Sequence, residues 1–338
     1  MRIENGRYKY EVGPELKVQC ELCPKMCLIE PGQSGECRVR INIDGVLRTV
    51  VYGFPCSIRI DAVEKKPLFH FLPGTAILSI ATVGCNLHCR NCQNWEISQA
   101  NPEETEAAAC SPEKLVEITR TNRCLSLAYT YTDPIVYYEY TYDTAKLARE
   151  KGIRNVLVTA GYINPEPWKR LLEFVDAANI DLKGITDKFY REVCSATLKP
   201  VQNAMVLTKA AGVHLEVTNL IIPTLNDKPE EITELVRWIK ANLGSDTPMH
   251  FSRFFPRYKM LHLPPTPAQT LDLAREIALS EGLNYVYIGN ISSKAGQNTY
   301  CPSCRSLLIE RSGFTILQNR LKDGHCPDCS TEIYGVWK

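Results

Sequence analysis

The sequence predicts an α/β protein: a partial or full (βα) barrel with small four-cysteine metal-binding elements at both termini. Three observations predict it. Short apolar runs alternate with amphipathic helical segments at roughly 30-residue spacing, the pattern of βαβ units around a parallel sheet. About six or seven such units fit the chain, enough to curl a sheet. Cysteines are abundant, fifteen in 338 residues, and all but Cys56, Cys110, Cys124 and Cys194 fall into three short-spaced groups. Those four isolated cysteines read as small apolar core residues.

The first group opens the chain: Cys20, Cys23, Cys27 and Cys37, spaced C-x2-C-x3-C-x9-C. Four thiolates can close a shell around zinc or hold a second iron–sulfur cluster, and ligand softness does not separate the two. The closed ligand set and compact turn residues favour structural zinc. Residues 1–65 form this N-terminal element, and residues 66–292 the barrel core.

The first core strand, Ala76–Ala81, runs into the second group, Cys85, Cys89 and Cys92, spaced C-x3-C-x2-C with no fourth cysteine nearby. A four-iron cube normally takes four thiolates, so three leave one iron open. An open metal position is where chemistry happens. His88 could complete a zinc site on paper, but it directly precedes Cys89, a strained arrangement around one tetrahedral ion.

Further strands are expected at Leu125–Thr130, Asn155–Thr159, Ala178–Leu182, Val213–Ile222, Met249–Phe255 and Tyr285–Ile288. Between them, Ile232, Leu235, Val236 and Ile239 mark one helical face, with Asp227 a candidate cap and Gly244 the stop. In such barrels the active site lies at the C-terminal ends of the strands, where the triplet falls.

A polar linker, Ser292–Asn298, precedes the third group in residues 296–338. Cys301-x2-Cys304 and Cys326-x2-Cys329 read as a zinc ribbon, with an auxiliary iron–sulfur cluster as the alternative. This segment holds five Lys/Arg and four Asp/Glu. That balance, with a whole-chain net charge of +1, argues against nucleic acid as a partner. There is no signal-peptide pattern and no run of about 18 apolar residues, so a cytoplasmic protein with no membrane partner is expected. A disulfide framework fits neither this length nor the odd cysteine count.

The triplet after a first β-strand resembles the signature of radical S-adenosylmethionine (SAM) enzymes. The run Cys92–Gln99, the upstream Glu64–Phe71 and the tail Tyr287–Asn290 resemble more closely the radical SAM component of the AmmeMemoRadiSam system, itself similar to pyruvate formate-lyase activating enzymes. The resemblance implies a barrel of the radical SAM type. It implies a [4Fe-4S] cluster on Cys85, Cys89 and Cys92 that reductively cleaves SAM to a 5′-deoxyadenosyl radical, which abstracts hydrogen from a substrate. It also implies an electron donor such as ferredoxin or flavodoxin. The system's other two protein families, Memo-like proteins among them, are implied partners. The substrate, small molecule or partner protein, is left open, glycyl-radical activation being one form.

By the same resemblance Asp133 stands where the family usually has glutamate before a proline, at the SAM amino group. Gly161 matches the glycine of a Thr-Asn-Gly segment, with Ala160 replacing asparagine, and Tyr258 matches a ribose-contacting position. Asp181 and Lys183 resemble an Asp-x-Lys pair near the SAM carboxylate. Their i, i+2 spacing also aims both at one strand face, where a structural ion pair is the competing reading. Glu216 and Thr218 share a polar strand face with His214, expected to face ligand or to close a hydrogen-bond network. The contrasting class is a non-enzymatic zinc-binding interaction module built on the two four-cysteine groups.

Overall fold

The computed structural model describes residues 4–12 and 16–338. Its centre is an eight-stranded sheet whose strands lie side by side in chain order. They are β1 (Ser57–Ala62), β2 (Ala76–Ala81), β3 (Ser126–Tyr129), β4 (Arg154–Thr159), β5 (Ala177–Asp181), β6 (His214–Ile221), β7 (Met249–Arg253) and β8 (Val286–Gly289). From β2 to β8 every pairing is parallel, while β1 is antiparallel to β2 with Ser57 opposite Ala81. Among the described residues no ladder joins β1 to β8, so the sheet is open and a fully closed barrel is not formed.

The seven parallel strands are those the apolar runs predict. They are buried on both faces, as parallel strands between helices must be. The antiparallel β1 escapes that signal because Arg59 and Ile60 are exposed and its other residues half-buried, so it reads as an edge.

Helices α1 (Pro112–Thr121), α2 (Tyr138–Glu150), α3 (Pro165–Leu172), α4 (Leu198–Ala210), α5 (Pro229–Leu243) and α6 (Ala268–Ser280) supply the crossovers. In α5, Ile232, Leu235, Val236 and Ile239 are buried as their spacing requires, and Gly244 ends the helix at φ 92°. Asp227 does not cap it. The residue before the helix is Lys228, and the Asp227 carboxylate instead accepts the Thr224 N–H at 2.9 Å, closing the turn.

The N-terminal element carries two three-stranded antiparallel sheets, one of which is completed by Glu4–Asn5. It is anchored to α2 by a buried ion pair, Arg40 Nη1 to Glu139 Oε2 at 2.8 Å. The C-terminal element is a three-stranded antiparallel sheet, Thr299–Tyr300, Leu307–Ser312 and Thr315–Asn319. Its buried Arg311 donates to Phe69 O at 2.8 Å and lies 4.4 Å over the Phe69 ring. Val336 exchanges backbone hydrogen bonds with His70 and Leu72. Among the described residues no helix is long and apolar enough to cross a membrane.

Candidate functional site

The loops leaving the C-terminal ends of β2 to β8 converge on a cavity of about 870 Å³. The triplet stands at one wall, because the loop from β2 carries Cys85, Cys89 and Cys92 directly into the space. His88 is turned away from it. Its Nδ1 is 2.9 Å from Gln99 Oε1 and its Nε2 3.4 Å from Glu36, so it is not a fourth ligand to the triplet. Burial raises the Cys85 and Cys92 thiols, and contact with Cys194 and burial raise Cys89. Beside Cys92, Ser98 Oγ lies 3.2 Å from the sulfur.

Asp133 lines the same cavity but is already engaged. Its Oδ1 accepts from Thr159 Oγ1 at 2.9 Å and Ile135 N at 3.1 Å, and its Oδ2 from Ala160 N at 2.9 Å. Burial nevertheless raises its affinity for a proton, those three hydrogen bonds offsetting only part of the cost. Asp181 and Lys183 also face the cavity and pair at 2.7 Å. Burial opposes the Lys183 charge, but Asp181 outweighs it and holds the lysine protonated. Thr218 lines the wall and donates to Asn179 Oδ1 at 2.9 Å.

Three predicted residues lie off the cavity wall. Gly161 sits behind it at φ 64°, where a Cβ would come within 3.1 Å of Ile180 and 3.3 Å of Ala204, so glycine is required for packing and backbone shape. Tyr258 stacks on Trp95 with ring centroids 5.2 Å apart. Glu216 is fully buried and serves a hydrogen-bond network rather than an open face. Its carboxylate accepts His214 Nε2 at 3.0 Å, His250 Nε2 at 2.6 Å, Phe69 N at 3.0 Å and His70 N at 2.7 Å. Burial works against its charge, but the two histidine hydrogen bonds outweigh it and hold the carboxyl well below its ordinary range.

Sequence reasoning missed His250 and Ser252, which line the cavity from β7. The signal was there: His250 and Ser252 alternate with Met249, Phe251 and Arg253, the same two-residue period read on β6. It also missed Glu64 and Asn91. Both line the cavity, and Glu64 Oε2 and Asn91 Oδ1 are buried without a hydrogen-bond partner.

The two quartets differ in spacing. In the C-terminal one, Cys301 and Cys329 sulfurs are 3.5 Å apart and Cys304 and Cys326 sulfurs 3.6 Å. Zinc–thiolate bonds of about 2.3 Å give a tetrahedron edge near 3.8 Å, so one ion fits. Among the described residues this is the only group of His, Cys, Asp or Glu whose ligand atoms all lie within 4.8 Å of one another.

Residues 79–239 match the radical SAM superfamily profile. The uncharacterised protein MJ0808 of Methanocaldococcus jannaschii is 48% identical over 326 residues, covering 96% of this chain and 97% of that one. The pyruvate formate-lyase-activating enzyme of Clostridium pasteurianum is 25% identical over 189 residues, 54% of this chain and 76% of that one. Among solved structures, Streptococcus suis SuiB superposes with a TM-score of 0.50 at 12% identity, over 68% of this chain and 52% of that one. At that identity the likeness is one of fold.

Proposed function

This chain belongs to the radical SAM superfamily, whose members are enzymes, and from that premise we propose that it cleaves SAM reductively and abstracts hydrogen from a substrate. The observation that carries the reading is the triplet, three thiols at the wall of a cavity of about 870 Å³. Cys85, Cys89 and Cys92 would hold a [4Fe-4S] cluster, which with SAM bound supplies a 5′-deoxyadenosyl radical.

The remaining work belongs to this chain's side chains. Asp133 braces the β3 and β4 loops rather than reaching across the space, because its oxygens are occupied by Thr159, Ile135 and Ala160. Lys183, held charged by Asp181, presents a cation suited to a ligand carboxylate. Phe69, Phe189, Leu220 and Ile222 line the cavity with apolar surface that excludes water from a reactive intermediate. The C-terminal quartet holds a structural zinc ion. Similarity to the activating enzyme supports glycyl-radical installation on a partner protein. The motif resemblance to the AmmeMemoRadiSam component supports partners from that system's other two families.

Protein purified without oxygen is expected to contain iron and to form 5′-deoxyadenosine when given SAM and dithionite. Zinc at all three cysteine groups with no iron would replace this reading with that of a zinc-binding interaction module. Tyr258→Phe keeps the Trp95 stack, so its affinity for SAM is expected to match wild type in equilibrium dialysis. A tenfold loss would restore the phenolic oxygen as a ribose contact.

A further inference from the structure

The N-terminal quartet does not share the spacing of the C-terminal one. Cys20, Cys23, Cys27 and Cys37 all line one small cavity, yet no three of their sulfurs lie within 4.8 Å of one another. Zinc draws four thiolates to about 3.8 Å, whereas a cluster of several irons spreads them wider. In this the quartet matches the triplet, whose sulfurs are likewise more widely spaced.

The cavity between them is built for more than packing. Leu22, Ile29, Ile135 and Val136 give it apolar walls. Three polar side chains line it as well, Lys25 and the more deeply buried Arg40, 2% exposed, and Asn86, 1% exposed. Arg40 spends Nη1 on Glu139 and Nη2 on Arg7 O, but its Nε has no partner. Asn86 donates to Tyr162 O, but its Oδ1 has none. A buried N–H without an acceptor is destabilising. Sulfide and thiolate sulfurs of a cluster are acceptors for it, and such hydrogen bonds tune cluster potentials.

The position is equally telling. Asn86 follows Cys85, so one loop presents Cys85 to the large cavity and Asn86 to the small one. A Cβ on Gly84 would lie 2.6 Å from the Cys37 carbonyl oxygen, so the two cysteine loops touch through backbone. Glu36 reaches His88 from the same side.

We propose that Cys20, Cys23, Cys27 and Cys37 hold a second iron–sulfur cluster, not zinc, seated directly behind the triplet loop. Zinc there is redox-silent, whereas a cluster makes the N-terminal element an electron-carrying neighbour of the triplet. The metal at the quartet does not depend on the proposed reaction, but the neighbour role rests on the triplet holding its own cluster.

The test uses the full chain with Cys85, Cys89 and Cys92 all replaced by alanine, purified without oxygen, so that iron at the quartet is read apart from the triplet. We expect about two to four irons with matching acid-labile sulfide, and about one zinc, per chain. Adding Cys23→Ala and Cys37→Ala together, which leaves two thiolates at the quartet, is expected to remove the iron and leave the zinc. In the wild-type chain reduced with dithionite, electron paramagnetic resonance is expected to show lines broadened by coupling of two nearby clusters. The triple variant should show the uncoupled signal. About two zincs and no iron in the triple variant would overturn the proposal, as would iron that survives the added loss of both Cys23 and Cys37.

Discussion

Replacing Cys89 with alanine is expected to remove about four irons per chain and to bring 5′-deoxyadenosine formation down to the level of metal-free protein. The triplet has no spare ligand at that wall, since His88 is held by Gln99 and Glu36. Two remaining thiolates cannot retain a cluster that already leaves one iron without a protein ligand. The control is Cys194, a fully buried thiol in contact with Cys89. Cys194→Ala is expected to keep both the iron and the activity, because that sulfur packs beneath the loop and does not line the cavity. Iron analysis and product chromatography on the two variants side by side check the assignment. A Cys89→Ala protein that still makes 5′-deoxyadenosine would sink it.

Glu216→Leu is expected to destabilise the fold by about 3–5 kcal/mol, the range for removing one side of a buried ionic network. Two backbone N–H groups, Phe69 and His70, and two imidazoles, His214 and His250, would lose their acceptor together. Urea unfolding at pH 7 measures the loss, and a change below about 1 kcal/mol would show that the network does not support the fold.

The same network predicts a pH dependence. Burial pushes His70 down to about 3, the nearby Glu216 charge offsetting only part of that cost. His70 is held between Tyr334 O and Tyr287 Oη, each at 2.5 Å, with Arg311 and His214 nearby opposing its charge. Because the folded value lies below the unfolded one, the unfolded chain binds the proton first. The contribution is complete above about pH 6.5, the ordinary histidine value, and falls as the pH is lowered toward 3. The loss is on the order of a few kcal/mol. His70→Gln, which cannot titrate, should flatten the slope of urea stability against pH between 6.5 and 4. An unchanged slope would assign the acid sensitivity to other groups.

The parallel strands were legible because burial on both faces demands continuous apolar runs, as in β2 and β4. Strand β1 was not, since its partly exposed residues look like a loop until β2 supplies its hydrogen bonds. Helix α5 showed its buried face in its spacing, but its start was misread. Asp227 fits a capping position by type, and only the turn reveals that it serves Thr224.

Chain order alone carried the triplet, because its three cysteines lie within eight residues, Cys85 to Cys92, and local spacing limits what they can bind. The parallel sheet and the two four-cysteine groups were equally local patterns, readable from periodicity and spacing. The partners of Glu216 were not, because they come from three stretches of chain, Phe69–His70, His214 and His250, and meet only when β6 and β7 pair and the segment after β1 folds against them. Nor could chain order show that Asn86 and Arg40 share a cavity with the first cysteine group. A side chain's polarity can be read along the chain. Whether it meets ligand, metal or another side chain depends on long-range packing, and here packing turned Glu216 inward and set the N-terminal cysteines against the triplet.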